Sequence, residues 1–199
     1  MRAIDMLAGL FGLILLSPVL LVVAVAVKLS SPGPVFYRAR RVGRNGKLFT
    51  MYKFRTMRVG ADAASRITAG DQDDRITPVG RRLRAGKLDE LPQLLNVLAG
   101  QMALVGPRPE DPGFLPYYST DEWEVLSVRP GLTGPVQLNY RELADVHWQP
   151  GEDPTKVYLA HVLHQRLAQD LRYVRTRSTG GDLRLIGQTI RMIFASGRK

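Results

Sequence analysis

The sequence predicts a mostly helical α+β protein, in which an N-terminal re-entrant membrane hairpin (helix, break, helix) precedes a cytosolic core. Three observations carry this prediction. Residues 6–27 form an apolar run without a charge. An Asn45-Gly46 turn joins two segments typical of strands. Amphipathic helical patterns then recur towards the end of the chain. We place the membrane hairpin at residues 1–31, and a cytosolic domain with a small β-hairpin and interfacial helices at residues 32–199.

Composition limits the class of partner. The chain has 199 residues, a formal net charge of +10 and no cysteine. This length fits one domain, and the missing cysteines exclude disulfides and thiolate metal sites. A basic chain favours nucleic acid, anionic lipid or phosphorylated substrates. A nucleic-acid-binding protein would rest on charge alone and leave the apolar run unexplained, so we expect no nucleic acid partner.

The apolar run allows three interpretations. A secretory signal peptide is the first, but the run exceeds the usual ~7–15 apolar residues. A spanning helix is the second, since roughly 22 residues just cross a ~30 Å hydrocarbon core. The third is a re-entrant hairpin that turns at Ser17-Pro18, because proline kinks or breaks a helix and the serine hydroxyl can bond a carbonyl freed by the break. Basic residues after the run place that end in the cytoplasm, and the residues alone favour re-entry only slightly.

The β-hairpin is predicted at residues 35–37 and 48–57, around the Asn45-Gly46 turn. Its second segment carries Lys53 and Arg55. These cations either belong to a solvated ribbon on anionic headgroups or contact a phosphate, and sequence spacing favours neither. Residues 60–74 read as a polar loop with a short helix, to which we assign no chemistry.

Two adjacent carboxylates, Asp89 and Glu90, open a predicted helix over residues 88–98. Pro92 fits its first turn, where a missing N–H costs nothing. The apolar face of this helix is formed by leucines at helical spacing: Leu88, Leu91, Leu94, Leu95 and Leu98. Because the macrodipole favours acids at any helix N-terminus, the pair alone is compatible with an ordinary acidic first turn.

Arginines flank this pair in the sequence. Arg84 lies five residues before Asp89, and Arg108 stands between Pro107 and Pro109, after a predicted buried strand at 103–105. A guanidinium fork matches phosphate oxygens, and two prolines hold this one in place. A surface turn is the alternative for Pro107-Arg108-Pro109, but the rigidity favours phosphate contact.

Beyond residue 128 the chain predicts a loop with a short strand at 128–141, which lines a site, and two amphipathic helices at 157–174 and 182–194. The second helix is basic. It lies either on a membrane surface or against the core.

Several segments together resemble a known family. They are Leu16-Ser17-Pro18-Val19, Tyr52-Lys53-Phe54-Arg55-Thr56-Met57, Leu88-Asp89-Glu90-Leu91-Pro92-Gln93-Leu94, Val105-Gly106-Pro107-Arg108-Pro109, Arg129-Pro130-Gly131-Leu132-Thr133-Gly134 and Asp182-Leu183. They occur in the family's order and cover most of the chain. The sequence is similar to the bacterial sugar transferases that are monotopic polyprenyl-phosphate phosphoglycosyl transferases, in their minimal catalytic form.

The resemblance implies transfer of a sugar 1-phosphate from a UDP-sugar to undecaprenyl phosphate, with release of UMP. It implies that Asp89 is the nucleophile, which forms a covalent phosphosugar intermediate, and that Glu90 binds Mg²⁺. The physics agrees, because a carboxylate attacks phosphorus only after the charge of the diphosphate is neutralised. Mg²⁺ and the arginines can neutralise it, namely Arg55, Arg84 and Arg108. The helix N-terminus is expected to keep Asp89 ionised.

The resemblance also implies a place in the cell. The Ser17-Pro18 break would seat the protein monotopically in the lipids of the bacterial inner membrane, on the cytoplasmic face. The reaction would be the first membrane step of cell-surface glycan assembly, for exopolysaccharide, O-antigen, capsule or glycoprotein. The sequence leaves open which sugar is transferred and whether the protein forms a homo-oligomer.

This chain departs from the family after Thr133-Gly134, where a tryptophan and a glycine of the usual motif are replaced. The motif's polar residues are kept as Gln137, Asn139 and Arg141, which we predict, with Lys53, to bind substrate. Residues 142–180 match poorly, and no role is carried over to them. The alternative function is a membrane-anchored, non-catalytic scaffold of a glycan-assembly complex.

Overall fold

The N-terminal apolar run forms one helix, α1, over Arg2–Ser30, with Pro18 inside it. The structure is a computed structural model and describes residues 2–61, 67, 73–138 and 152–196. Pro18 has no N–H for the carbonyl of Ile14, and the Ser17 hydroxyl donates to that oxygen at 2.8 Å. The expected serine bond is therefore confirmed. The helix is not divided in two at Ser17-Pro18, so the predicted helix-break-helix hairpin is not confirmed.

Helix α1 packs on the body of the protein through one narrow face. Its glycines allow close approach, since a Cβ at Gly9 would lie 3.3 Å from Val97 Cγ1. Further along, Val23 and Val27 are buried with Phe54 and Leu83. Most other side chains of α1 are exposed, and Ala3–Ser30 is long and apolar enough to cross a membrane by length and composition.

Both ends of α1 are bonded to the same body. At the first turn, Asp5 pairs with Arg129 at 3.2 Å and accepts from the backbone N–H of Leu104 at 3.4 Å. At the last turn, the Arg55 guanidinium donates to Ser31 O at 2.8 Å and to the carbonyls of Val27 and Pro32. The helix therefore lies along the body instead of leaving it at one end.

The predicted β-hairpin is confirmed. Strands β1 (Phe36–Val42) and β2 (Leu48–Phe54) pair antiparallel, with Ala39 opposite Met51. Asn45 takes the left-handed conformation at φ 57°, and Gly46 follows at φ 75°. Such backbone angles are the reason that Asn-Gly is a strong turn signal.

A second sheet joins two short strands that are distant in sequence. β3 (Ala103–Val105) pairs in parallel with β4 (Gly131–Thr133). The backbones approach so closely that a Cβ on Gly131 would lie 2.1 Å from Gly106 N, so only glycine fits there. The strand predicted at 103–105 and the short strand predicted within 128–141 are confirmed, but their pairing was not predicted.

The remaining helices surround these sheets. They are α2 (Pro78–Ala85), α3 (Leu94–Leu98), α4 (Pro135–Leu138), α5 (Pro154–Val157), α6 (Leu163–Thr176) and α7 (Thr179–Ser196). A π-helical turn at Tyr158–Val162 joins α5 to α6, and 3₁₀ turns lie at Arg44–Gly46, Leu88–Gln93, Pro112–Tyr117 and Glu122–Ser127. The two predicted C-terminal helices are thus confirmed. Most of the loop predicted at 60–74 lies outside the described residues.

Tyr158, Val162, Leu163 and Leu167 are buried against the 3₁₀ turns around Phe114. The apolar face predicted for the first C-terminal helix is therefore the face that packs. The chain is a mostly helical α+β protein with an apolar N-terminal helix and small sheets.

Candidate active site

The carboxylate pair lies on a 3₁₀ turn, Leu88–Gln93, which we call the carboxylate turn. The α-helix predicted from residue 88 begins only at Leu94. A 3₁₀ helix has three residues per turn, so its side chains are rotated away from a 3.6-residue pattern. In consequence Leu94 is buried, whereas Leu95, predicted on the same face, is 43% exposed.

Asn96 fixes the strand that carries Lys53. Its side chain is fully buried, accepts from Tyr52 N at 3.1 Å and donates to Thr50 O at 2.7 Å. These bonds attach α3 to β2, so Lys53, the next residue along β2, lies against the carboxylate turn. Satisfied buried amides of this kind specify a single packing arrangement.

Glu90 is the anionic partner of two cations. Lys53 Nζ lies 2.7 Å from Glu90 Oε1, and an Arg108 Nη lies 3.5 Å from the same oxygen. Burial opposes ionisation of this carboxyl, but the positive charges of Lys53, Arg108 and Lys87 outweigh it and lower the pKa of Glu90. Glu90 is therefore an ionised carboxylate in a site rich in positive charge.

Asp89 has a different environment from its neighbour. Its side chain is 7% exposed, and no hydrogen bond to its carboxylate is found in the part of the chain that the structure describes. Burial raises the pKa of Asp89, while Lys53 opposes the rise, Glu90 adds to it, and Arg84 and Lys87 oppose it. The pKa of Asp89 is therefore raised and not lowered at this position, because a short 3₁₀ turn has only a small macrodipole and desolvation is the largest effect.

Arg84 and Arg108 both lie near the pair. Arg84, in the last turn of α2, donates from Nε to Thr56 Oγ1 at 2.9 Å, and its charge acts on Asp89. The backbone N–H of Arg108 donates to Asp170 Oδ2 at 3.3 Å. The structure therefore brings together Asp89, Glu90, Lys53, Arg84 and Arg108, as the sequence predicted.

Arg55 is bonded to a different part of the molecule. Its side chain is 6% exposed and is directed at the carbonyls that end α1. The last carbonyls of a helix lack intrahelical partners, and a guanidinium can satisfy several of them at once. These contacts attach the end of α1 to the end of β2, and the predicted phosphate contact of Arg55 stays a prediction.

Gln137 lies on α4 and is only 7% exposed. Its amide nitrogen donates to Gly131 O at 3.3 Å, while Oε1 is buried without a hydrogen-bond partner among the described residues. A buried acceptor without a partner is costly unless a ligand supplies a donor. Asn139 and Arg141, the other residues predicted from this motif, lie outside the described residues.

Two features of the site were missed by sequence reasoning. Lys87 immediately precedes the carboxylate turn in the left-handed conformation, at φ 56°. Its positive charge opposes the rise in the pKa of Asp89 and contributes to the lowered pKa of Glu90. Its position beside the pair was the available signal. The second feature is a buried network behind Arg108, described next.

The network joins Glu110 to the C-terminal helices. Arg166 lies 2.6 Å from Glu110 Oε2, and the Tyr158 hydroxyl donates to the same oxygen at 2.9 Å. Asp170, one helical turn after Arg166, accepts from Arg108. Burial raises the pKa of Asp170 to about 7, although Arg166 and the Arg108 N–H oppose it. In the sequence, Arg166 and Asp170 fall on an otherwise apolar helix face. This pattern could have predicted a buried ion pair, since buried charges are normally paired.

The donor set fits a magnesium ion that is completed by substrate. In the described ranges no group of three His, Cys, Asp or Glu side chains could hold a metal. Mg²⁺ does not require one, because it is commonly bound by one or two carboxylates together with substrate phosphates and waters. An ionised Glu90 beside Asp89 meets that requirement.

The long apolar helix on this body fits membrane association, and two adjacent carboxylates among cations form a candidate site for a phosphorylated ligand. Residues 1–196 match the family described as bacterial sugar transferase, and the chain belongs to that family. The family predicted from the sequence is therefore confirmed.

Curated relatives carry names of one kind. The chain is 41% identical over 192 residues to a UDP-glucose:undecaprenyl-phosphate glucose-1-phosphate transferase of Caulobacter vibrioides, covering 95% of this chain and 67% of the relative. It is 36% identical to a UDP-N-acetylgalactosamine-undecaprenyl-phosphate N-acetylgalactosaminephosphotransferase of Aeromonas hydrophila, covering 97% of this chain but 43% of that relative. It is 38% identical to the exopolysaccharide production protein PSS of Rhizobium leguminosarum, covering 95% and 92%.

Proposed function

We propose that this protein transfers a sugar 1-phosphate from a UDP-sugar to undecaprenyl phosphate and releases UMP, as the first membrane step in assembling a cell-surface glycan. Family membership and the names of the curated relatives support the reaction class. One observation connects this reaction to Asp89 and Glu90, namely that the two carboxylates have different environments. Glu90 is ionised among cations, and Asp89 is buried with no hydrogen bond from a described residue. Two carboxylates with different environments can take different roles.

Asp89 is the proposed nucleophile. One of its oxygens forms a bond to the phosphorus that carries the sugar, and the bond from that phosphorus to the bridging oxygen breaks, so UMP leaves with that oxygen. An oxygen of undecaprenyl phosphate then attacks the same phosphorus, and the bond to Asp89 breaks. The product is a lipid-linked diphosphate sugar, and the carboxylate is regenerated. No described residue donates a hydrogen bond to the carboxylate of Asp89, which leaves its lone pairs available for this attack as far as the described residues go.

Glu90 is the proposed ligand of Mg²⁺. The ion would supply positive charge against the diphosphate and the developing charge on UMP. Lys53 and Arg108 hold Glu90 ionised and in position for this role. Lys53, Arg84 and Arg108 also offer donors to the phosphate oxygens, and the positive charges of Lys53, Arg84 and Lys87 favour the ionised form of Asp89. The Oε1 of Gln137, which has no hydrogen-bond partner among the described residues, is a candidate acceptor for a sugar hydroxyl.

The monotopic topology is also proposed. Both ends of α1 are bonded to the same body, through Asp5–Arg129 at one end and through Arg55 at the other. Because that body is polar and charged, both ends of α1 belong on one side of the bilayer. This supports re-entry into the lipid from the cytoplasmic face over a crossing of the membrane.

The reaction has a direct test. Purified protein in detergent with Mg²⁺, undecaprenyl phosphate and each of a panel of UDP-sugars should release UMP with at least one donor, which also identifies the sugar. Asp89→Asn should reduce UMP release by at least about 10³-fold. Intact-mass measurement should detect a sugar-phosphate adduct on wild-type protein in the absence of acceptor, and none on Asp89→Asn. A wild-type protein that releases no UMP with any donor would favour the non-catalytic scaffold.

The metal requirement is tested separately. Chelation with EDTA should abolish UMP release, and added Mg²⁺ should restore it. Glu90→Gln should raise the Mg²⁺ concentration that gives half-maximal activity, since a neutral amide is a weaker ligand than a carboxylate. Full activity in EDTA would remove Mg²⁺ from the proposal without affecting the role of Asp89.

A further inference from the structure

An open, mostly apolar groove of about 200 Å³ lies between helix α7 and the body of the protein. Helix α7 contributes Ile186, Ile190 and Ile193 to its walls, and the body contributes Leu91, Leu104 and Leu132. These three leucines come from the carboxylate turn, β3 and β4. Apolar side chains from four separate elements therefore face one cavity, which we call the α7 groove.

The hydroxyl groups in the groove are satisfied within the protein. Thr133 Oγ1 and Thr189 Oγ1 are 2.5 Å apart, and the Thr189 hydroxyl donates to Leu185 O at 2.8 Å. Thr133 is thus the donor to Thr189, and both hydroxyl protons are used. This bond attaches α7 to β4 and leaves the wall around it apolar in character. A surface of this kind binds hydrocarbon and offers little to a polar ligand.

The α7 groove also borders the carboxylate pair. Lys87 and Glu90 line it together with Leu91, all from one turn of chain. An amphiphile whose anionic group lies beside Lys87 would place its hydrocarbon against the leucine and isoleucine walls. Gln137 also lines the groove and offers one acceptor oxygen, but the ribose and base of a UDP-sugar require more hydrogen-bond partners than this side chain supplies among leucines and isoleucines.

We propose that the α7 groove binds the isoprene units of the polyprenyl phosphate acceptor that lie next to its phosphate. This inference rests on the proposed function and adds the location of the lipid. The acceptor phosphate must reach the phosphorus bound to Asp89, so its first isoprene units must lie within a few bonds of the carboxylate turn. The α7 groove supplies apolar surface at that position, and Lys87 supplies the matching positive charge.

A matched pair of variants tests the groove. Ile190 lines it and is 51% exposed, whereas Leu183 lies on the same helix, is 65% exposed and does not line it. Because both side chains are largely exposed, Ile190→Ser and Leu183→Ser should both fold. Ile190→Ser should raise the KM for undecaprenyl phosphate about tenfold, as expected for losing one apolar contact surface. It should leave unchanged the UMP burst measured without acceptor, and Leu183→Ser should change neither quantity.

A short acceptor separates this proposal from general lipid docking. Farnesyl phosphate has three isoprene units, all close to the phosphate. If the groove holds those units, Ile190→Ser should weaken the binding of farnesyl phosphate, measured as a substrate KM or as a competitive inhibition constant, about as much as it weakens the binding of undecaprenyl phosphate. An effect on undecaprenyl phosphate alone would overturn the proposal, since the groove would then contact distal chain or bulk lipid. Equal KM values for wild type and Ile190→Ser with both acceptors would overturn it as well.

A binding measurement keeps the test independent of activity. Farnesyl phosphate with a photoreactive diazirine on its first isoprene unit should label residues 186–193 of α7 or the leucines of the opposite wall. Unlabelled undecaprenyl phosphate should suppress the labelling, and farnesol should not. Labelling confined to α1 would overturn the proposal. If wild-type protein released no UMP but labelled the groove, the proposed reaction would fail while the lipid site would stand.

Discussion

Lys53 Nζ lies 2.7 Å from Glu90 Oε1, although 37 positions separate the two residues in sequence. The contact joins strand β2 to the carboxylate turn and is reinforced by Arg108, which reaches the same oxygen. Side chains that are already held by charge need little reorganisation when a phosphorylated substrate arrives. The site is therefore preorganised around Glu90.

Replacing Lys53 should show how much this charge contributes. Lys53→Met removes the cation next to Glu90, so we expect kcat/KM for the UDP-sugar to fall about 10²-fold. Lys53→Arg keeps the charge and should stay within about tenfold of wild type. Steady-state UMP release measures both. If Lys53→Met were as active as Lys53→Arg, shape and not charge would define the residue's role.

Arg55 should behave as a structural residue. Arg55→Met leaves the carbonyls at the end of α1 without donors, so we expect the free energy of unfolding to fall by about 2–4 kcal/mol. The KM for the UDP-sugar should stay within about twofold, because the guanidinium is bonded to the carbonyls that end α1. Thermal unfolding in detergent and donor kinetics measure the two effects.

Arg84→Met is the matched control for Arg55→Met. Arg84 acts on Asp89 by its charge, so its loss should affect the donor kinetics more than the unfolding temperature. A large rise in donor KM for Arg55→Met would return Arg55 to the substrate site.

Asp170 should make stability depend on pH. Its folded-state pKa of about 7 lies above the unfolded value near 4. The folded state holds the proton more tightly, so the contribution of Asp170 to stability falls as pH rises from about 4 to 7, by up to ~1.4 kcal/mol per pH unit, and is then constant. Asp170→Asn should lack this slope, and its stability relative to wild type should rise over that range.

Denaturant unfolding at several pH values measures this difference. Asp121→Asn, at an exposed position, is the control and should follow wild type. A difference between Asp170→Asn and wild type that did not change with pH would show that Asp170 is ionised throughout.

The topology of α1 is accessible to labelling, because the chain has no cysteine. Ala3→Cys and Arg38→Cys place single thiols at exposed positions before and after the apolar segment. In inverted and right-side-out vesicles, an impermeant maleimide should label both from the cytoplasmic side. Labelling from opposite sides would show that α1 crosses the membrane.

Local signals in the sequence predicted the local structure well. The Asn45-Gly46 turn fixed the β-hairpin because its left-handed backbone angles are a property of those two residues. The C-terminal helices followed from apolar spacing. The carboxylate turn was predicted as α-helix, because the sequence pattern does not distinguish α from 3₁₀ winding over six residues.

Contacts between distant segments could not be predicted in the same way. The parallel pairing of β3 with β4 depends on two glycines that let backbones touch, and each glycine alone is compatible with any turn. Lys53 lies on β2 and Arg55 directly follows that strand, yet Arg55 satisfies carbonyls at the end of α1 and Lys53 faces Glu90. Charge is visible in a sequence, whereas the partner of a charge is a tertiary property. The roles of Asn139 and Arg141 stay predictions.

The pair between Asp5 and Arg129 sets an order of events during synthesis. Arg129 follows Asp5 by 124 positions, which corresponds to roughly 6–25 s of translation at ~5–20 residues per second. During that interval α1 has been synthesised but Arg129, which pairs with Asp5 in the first turn of α1, has not. Its exposed leucines, valines and isoleucines need an apolar environment at once. We therefore expect the membrane to be the first partner of this chain, and the candidate active site to assemble later on a helix already held in lipid.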